Sequence, residues 1–318
     1  MRGGRFLLLG VVALIALMPL FAPWSKTFLV LAIAKGLAVL GIVVLLRAGQ
    51  VSFGHALFFA ASAYVAAFAA RLLGGGELLT LLVIGALGSG VLGLLVGLFV
   101  VRYRYIFFGM LNLAFSMVFY AVLEKFYHYT GGSDGLILSR PSVLGIGLER
   151  LPFEYTLFYV ALATAAVLGW LVHRYLNSAP GRALAAIKTN ETRLEYLGIS
   201  ARGTLLVAYV ISAMLAGVGG TLAAVMQGLV TPEYAYWVRS GEFVFIAILG
   251  GAGHVLGAFA GALVYEGVRM YLAVLAADMW QLLLGVVLLV IVLFASEGLV
   301  GLWHRISGRF APAGREAS

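Results

Sequence analysis

The chain has 318 residues, of which 63% are hydrophobic and only 11% charged, and its mean hydropathy is +1.06. Soluble domains carry roughly half apolar and about a quarter charged residues, so a water-soluble core is excluded and the bilayer becomes the relevant solvent. The formal net charge of +8 lies in lysines and arginines at the ends of apolar stretches, with no basic stripe interleaved with aromatics, which excludes a nucleic-acid surface, and the lack of cysteine excludes disulfide frameworks, zinc clusters and thiol catalysis.

Crossing a hydrocarbon core ~30 Å thick takes ~20 apolar residues in a helix, because hydrocarbon offers no partner for loose backbone groups. Arg2 and Arg5 precede the first apolar stretch, 6–22. Pro23, directly after Ala22, disfavours cleavage, so this stretch is predicted to be a retained helix with a cytoplasmic N-terminus rather than a removed signal. Further spans are predicted at 27–46, 53–73, 78–101, 105–126, 155–174, 203–229 and 279–296. Glycines within them, such as Gly85, Gly93 and Gly97, or Gly217, Gly219 and Gly220, suit closely packed helices.

The bias of positive charge toward the cytoplasm places Arg102, Arg104 and the loop at about 176–202 inside, and the loop at about 127–154 outside. The Gly-broken stretch 241–275 is predicted to enter and return as two half-helices or short spans hinged at Gly250, Gly251 and Gly253. That arrangement returns the polar tail, 304–318, to the cytoplasm. The expected fold is an all-α polytopic membrane protein: a single transmembrane domain over 1–318 with about nine or ten transmembrane or half-membrane helices and both termini cytoplasmic.

The segment from Ser178 to Ser200, SAPGRALAAIKTNETRLEYLGIS, is polar, helix-prone and bracketed by Pro180 and Gly198. It predicts a short amphipathic helix on the cytoplasmic face, with Ala183, Ile187, Leu194 and Leu197 sharing one side and Lys188, Asn190 and Glu191 left for water or a partner.

This segment resembles the cytoplasmic coupling loop of ABC-importer permeases in the form carried by the branched-chain amino acid permease family (LivM-type). Three other stretches agree in order: GQVSFGH at Gly49 to His55, TGGSDGL at Thr130 to Leu136, and ILGGAGHVLGAFAGA at Ile248 to Ala262. Departures include Ala258 and Ser296 where the family commonly has proline.

The resemblance implies a permease subunit of an ATP-driven importer for branched-chain or related small amino acids in the bacterial inner membrane. Relatives with urea, short amides or other small organic solutes are the alternative. It implies contact with ATPase subunits through Gly181, Arg182, Ile187, Asn190, Glu191 and Gly198. Expected partners are a second permease subunit (LivH-type), two ATP-binding subunits and an extracytoplasmic solute-binding protein. No G-x-x-x-x-G-K-[ST] occurs, so this chain is read as a non-enzyme that binds no cofactor or metal of its own, with ATP and Mg on the partner subunits.

Polar residues inside a bilayer are expensive, so Gln50, Ser52, His55 and Asn112 are candidates for the translocation pathway, with hydrogen bonding between helices as the plainer alternative. Lys35 is expected to snorkel to an interface, and Glu266 to pair with Arg269 on one helix face. Two rivals are an ion-coupled secondary carrier relying on Glu242 or Glu266, and an intramembrane protease using Ser89 and His254.

Overall fold

The computed structural model describes residues 15–251, 253–275, 279, 282–286, 289, 298–299 and 301. The expected cytoplasmic placement of both termini, the tail 304–318 and most of the span at 279–296 lie outside them. After a helical stretch at 15–21, nine helices carry the described fold: α1 (Ser25–Leu46), α2 (His55–Leu72), α3 (Leu78–Val100), α4 (Tyr105–Lys125), α5 (Arg150–Asn177), α6 (Ala179–Tyr196), α7 (Ala201–Gln227), α8 (Trp237–Gly250) and α9 (Val255–Leu275). All except α6 and α8 are long and apolar enough to cross a membrane, which makes this an all-α polytopic membrane protein.

α7 stands at the centre, packed against α1, α2 and α3. Its glycines permit this. A methyl on Gly219 would strike the Ala34 carbonyl of α1, one on Gly220 the Phe59 carbonyl of α2, and one on Gly217 the Ser89 hydroxyl of α3. From the other side, a methyl on Gly41 of α1 would sit 2.6 Å from the Ser212 carbonyl. α1 is apolar around its whole circumference because neighbours cover it almost entirely, whereas α4 leaves Ile106, Phe107, Met110 and Val118 exposed. An inner layer and an outer layer result.

The loop between α4 and α5 is stitched to the α7–α8 connection by a two-stranded antiparallel ribbon, β1 (Leu136–Ile137) with β2 (Leu229–Val230), pairing Leu136 with Val230. In its TGGSDGL turn, Thr130 donates to the Leu123 carbonyl at 2.6 Å and Tyr127 donates to Asp134, a bond that holds the Tyr127 phenol above its usual range.

α8 and α9 form a hairpin. The chain breaks at Gly251 (φ 102°), and the two arms touch backbone to backbone where a methyl on Gly261 would lie 2.5 Å from the Ile246 carbonyl. Gly250 lies against Gly257 in the same seam, and Gly253 falls in the turn.

Candidate functional site

Three polar centres stand out. The first surrounds α6. Gly181 lets its first turn fold back against the end of α5, since a methyl there would strike the Tyr175 and Leu176 carbonyls; Arg182 donates to the Asn177 carbonyl at 3.1 Å. Asn190 interrupts the helix with extended backbone (φ −159°, ψ 95°), and its side chain caps the second half by accepting from the Arg193 amide at 2.9 Å. Gly198 follows the C-terminus with φ +79°, a conformation that glycine adopts without strain.

Leu184, Ile187 and Leu194 are buried, while Leu197 is 72% exposed. The expected face is therefore corrected at its end: Leu197 lies past the last helical residue, after a kink that breaks the periodicity. Glu191 is also corrected. Still about a third open to water, it also reaches the bundle, in a two-pronged ion pair with Arg104 at the start of α4, 2.6 and 2.8 Å. The Lys188 stem lies against Gly49. Two motifs far apart in sequence thus meet at one end of the bundle.

Gln50 belongs to the same knot. Its amide oxygen accepts from the backbone N–H of Tyr105, a residue in left-handed backbone (φ +53°), at 2.8 Å, and its nitrogen donates to the Ala48 carbonyl at 3.3 Å.

The second centre is the N-terminus of α2, fully buried. Ser52 accepts from the Gly54 amide at 3.3 Å, and Ser240 of α8 accepts from the Ala56 amide at 2.9 Å. Ser212 donates to the Gly41 carbonyl at 2.7 Å, so the 2.6 Å contact between His55 Nε2 and Ser212 Oγ has His55 as donor. The other ring nitrogen, Nδ1, is buried with no partner among the described residues. Nearby, Asn112 donates to the Phe108 carbonyl of its own helix at 2.7 Å and accepts from Tyr209 of α7. Gly54 meets the Asn112 backbone, where a methyl would lie 2.6 Å from the carbonyl. Gln50, Ser52, His55 and Asn112 are therefore all engaged by protein groups.

The third centre was missed in part. Lys35 does not snorkel: it is 4% exposed, 2.8 Å from Glu266 of α9 and 3.5 Å from Glu242 of α8, with its ammonium 4.9 Å from the Tyr265 ring centre. Arg269 pairs with Glu266 at 2.5 Å, as the i,i+3 spacing suggests, and Arg239 approaches Glu242 at 3.5 Å. The sequence signal was available: ionisable residues within several apolar stretches are tolerable only as a mutually compensating set. Ser89 donates to Ala86 of its own helix at 2.9 Å while His254 sits in the α8–α9 turn, an arrangement that offers no nucleophile and base side by side.

Among known proteins, the family described as branched-chain amino acid transport system / permease component matches residues 26–292. The high-affinity branched-chain amino acid transport system permease protein LivM of Escherichia coli (strain K12) is 30% identical over 226 residues, 64% of this chain and 53% of that protein. Its counterpart from Salmonella typhimurium is 29% identical over the same shares. The autoinducer 2 import system permease protein LsrC of Klebsiella pneumoniae subsp. pneumoniae is 28% identical over 175 residues, 51% of this chain and 48% of that one. The chain spans about half the length of the curated relatives it matches. No solved structure matches it.

Proposed function

The chain belongs to the branched-chain amino acid transport permease family, and from that premise we propose that it is the membrane-spanning subunit of an ATP-driven importer in the bacterial inner membrane. Its solute is leucine, isoleucine, valine or a related small amino acid, handed over by an extracytoplasmic binding protein. A second permease completes the pathway, and two ATP-binding subunits carry ATP and Mg. The relatives' names cover both branched-chain amino acids and autoinducer 2, so the solute is a narrower claim than the class.

The observation that carries the reading is the way α6 is tied to the bundle. Glu191 grips Arg104 at the α3–α4 turn, and Lys188 lies on Gly49 at the α1–α2 turn. A push on α6 is therefore delivered to four membrane helices. Its outward surface carries Arg182, Asn190, Tyr196 and Leu197, the last two 87% and 72% exposed, an apolar knob fit for a socket on an ATPase. Glu191 acts inward, as the anchor.

An ion-gradient carrier would need a carboxylate available to the driving ion. Glu242 faces Lys35 and Arg239, and Glu266 faces Lys35 and Arg269, so each is already matched by two cations. The deciding experiment is uptake of labelled leucine into vesicles holding the chain with its partners. Uptake that requires ATP and resists a proton ionophore is expected; transport by the chain alone, or collapse with the ionophore, overturns the proposal.

A further inference from the structure

We propose that a cavity of about 60 Å³ between α1, α7, α8 and α9, with Lys35, Gln227, Tyr234, Arg239 and Arg269 on its polar side, seats the carboxylate of the solute during transport. The inference deepens the importer reading above and rests on it. Such a volume accommodates a carboxylate and a water molecule or two. The remaining wall, Leu31, Phe59 and Ala223, is apolar and suits the start of an aliphatic side chain.

The charges around the cavity do not balance. Among the described residues, Lys35, Arg239 and Arg269 face Glu242 and Glu266 alone, which leaves one positive charge in excess where uncompensated charge is costly. An anion supplies the balance. Lys35 and Arg269 are committed to the glutamates at 2.5–2.8 Å, but Arg239 has a single 3.5 Å approach to Glu242, with its guanidinium 5.6 Å from the Tyr234 ring centre. Most of its five donors are unspent. Gln227 accepts from the Tyr234 hydroxyl through its amide oxygen, which leaves its NH₂ as a further donor.

Position supports the same conclusion. Gln227 ends α7 on the side opposite α6, whereas Arg239 lies deeper, between Ala235, which accepts from Ser116 half-way along α4, and Ser240, which accepts from Ala56 in the first turn of α2; Lys35 stands ten residues into α1, about 15 Å along its axis. The cavity's cationic wall thus stands at mid-depth beneath the end of α7, where a translocation site is expected.

The same donors could hold an oxyanion from either of two sources, a solute carboxylate or a lipid phosphate, and the test separates them. Thermal unfolding of the purified full chain in neutral detergent is followed with leucine, 4-methyl-2-oxopentanoate or leucinamide at matched ionic strength. The two carboxylates are expected to raise the midpoint and leucinamide is not. Arg239→Gln, at a partly exposed and weakly paired position, should weaken the apparent affinity for the carboxylates by about ten- to a hundredfold, the loss of one charge-assisted hydrogen bond. Equal protection by leucinamide, undiminished protection in Arg239→Gln, or Arg239-dependent protection only by phosphatidylglycerol, marking a lipid site, would each overturn the inference. ATP-dependent leucine uptake that persists alongside any of those results sinks the seat and spares the importer; carboxylate protection without such uptake does the reverse.

Discussion

The knot at α6 and the charged cluster around Lys35 are both built from ions, yet they do opposite work. At α6 the pair is single and about a third open on the glutamate side, so water screens it and it tethers more than it stabilises. Around Lys35 five ionisable side chains from α1, α8 and α9 meet, with Lys35 and Glu266 closed off at the centre and Arg239 and Arg269 at a partly open rim, and removing Glu266 strands two cations. The contrast teaches that the same chemistry only tethers where a pair stands alone at the edge, and holds helices together where a buried lysine and glutamate stand at its centre.

The comparison breaks first at its buried side. Glu266→Gln leaves Lys35 and Arg269 without their shared anion and is expected to destabilise the chain by about 3–5 kcal/mol, read as a lower unfolding midpoint; Lys35→Met with Glu266→Gln should regain part of that loss. An unchanged midpoint in the single variant would show that the cluster is not what holds α1 to the hairpin.

At the edge the effects shrink in stability and shift to function. Gln50→Leu strands the Tyr105 N–H and should cost about 1–2 kcal/mol, with faster hydrogen exchange at the start of α4 as its signature. Glu191→Arg should cost less than about 1 kcal/mol of stability, since the pair is partly exposed, yet reduce uptake about tenfold by detaching α6. Reversing both members, Arg104→Glu with Glu191→Arg, should restore uptake. If the reversal does not, Glu191 acts through something other than Arg104.

How far the sequence could be read divides along the same line. The spans from 27 to 229, the break near Gly251 and the helical segment at α6 were legible because hydropathy, glycine clusters and capping residues are local signals. Lys35 was read wrongly because its partner Glu242 lies 207 positions away, and a lone lysine in an apolar stretch looks like an interfacial one. Glu191 was assigned outward because Arg104, 87 positions earlier, is invisible to helical periodicity. The face ending at Leu197 failed for a different reason: a pattern of three and four assumes one continuous helix, and Asn190 divides it. Spacing alone paired Glu266 with Arg269, and Lys35 and Glu242 stood out singly; only the fold makes them one object.

The bond from the Ala56 amide to Ser240 places a side chain of α8 on the first turn of α2, where the helix has no carbonyl of its own to offer. Were the hairpin to swing away by itself, that amide would be stranded in hydrocarbon-like surroundings. Tilting both together keeps it satisfied, so the two elements are geared, and a rearrangement that opens one flank of the bundle must carry the other along with it.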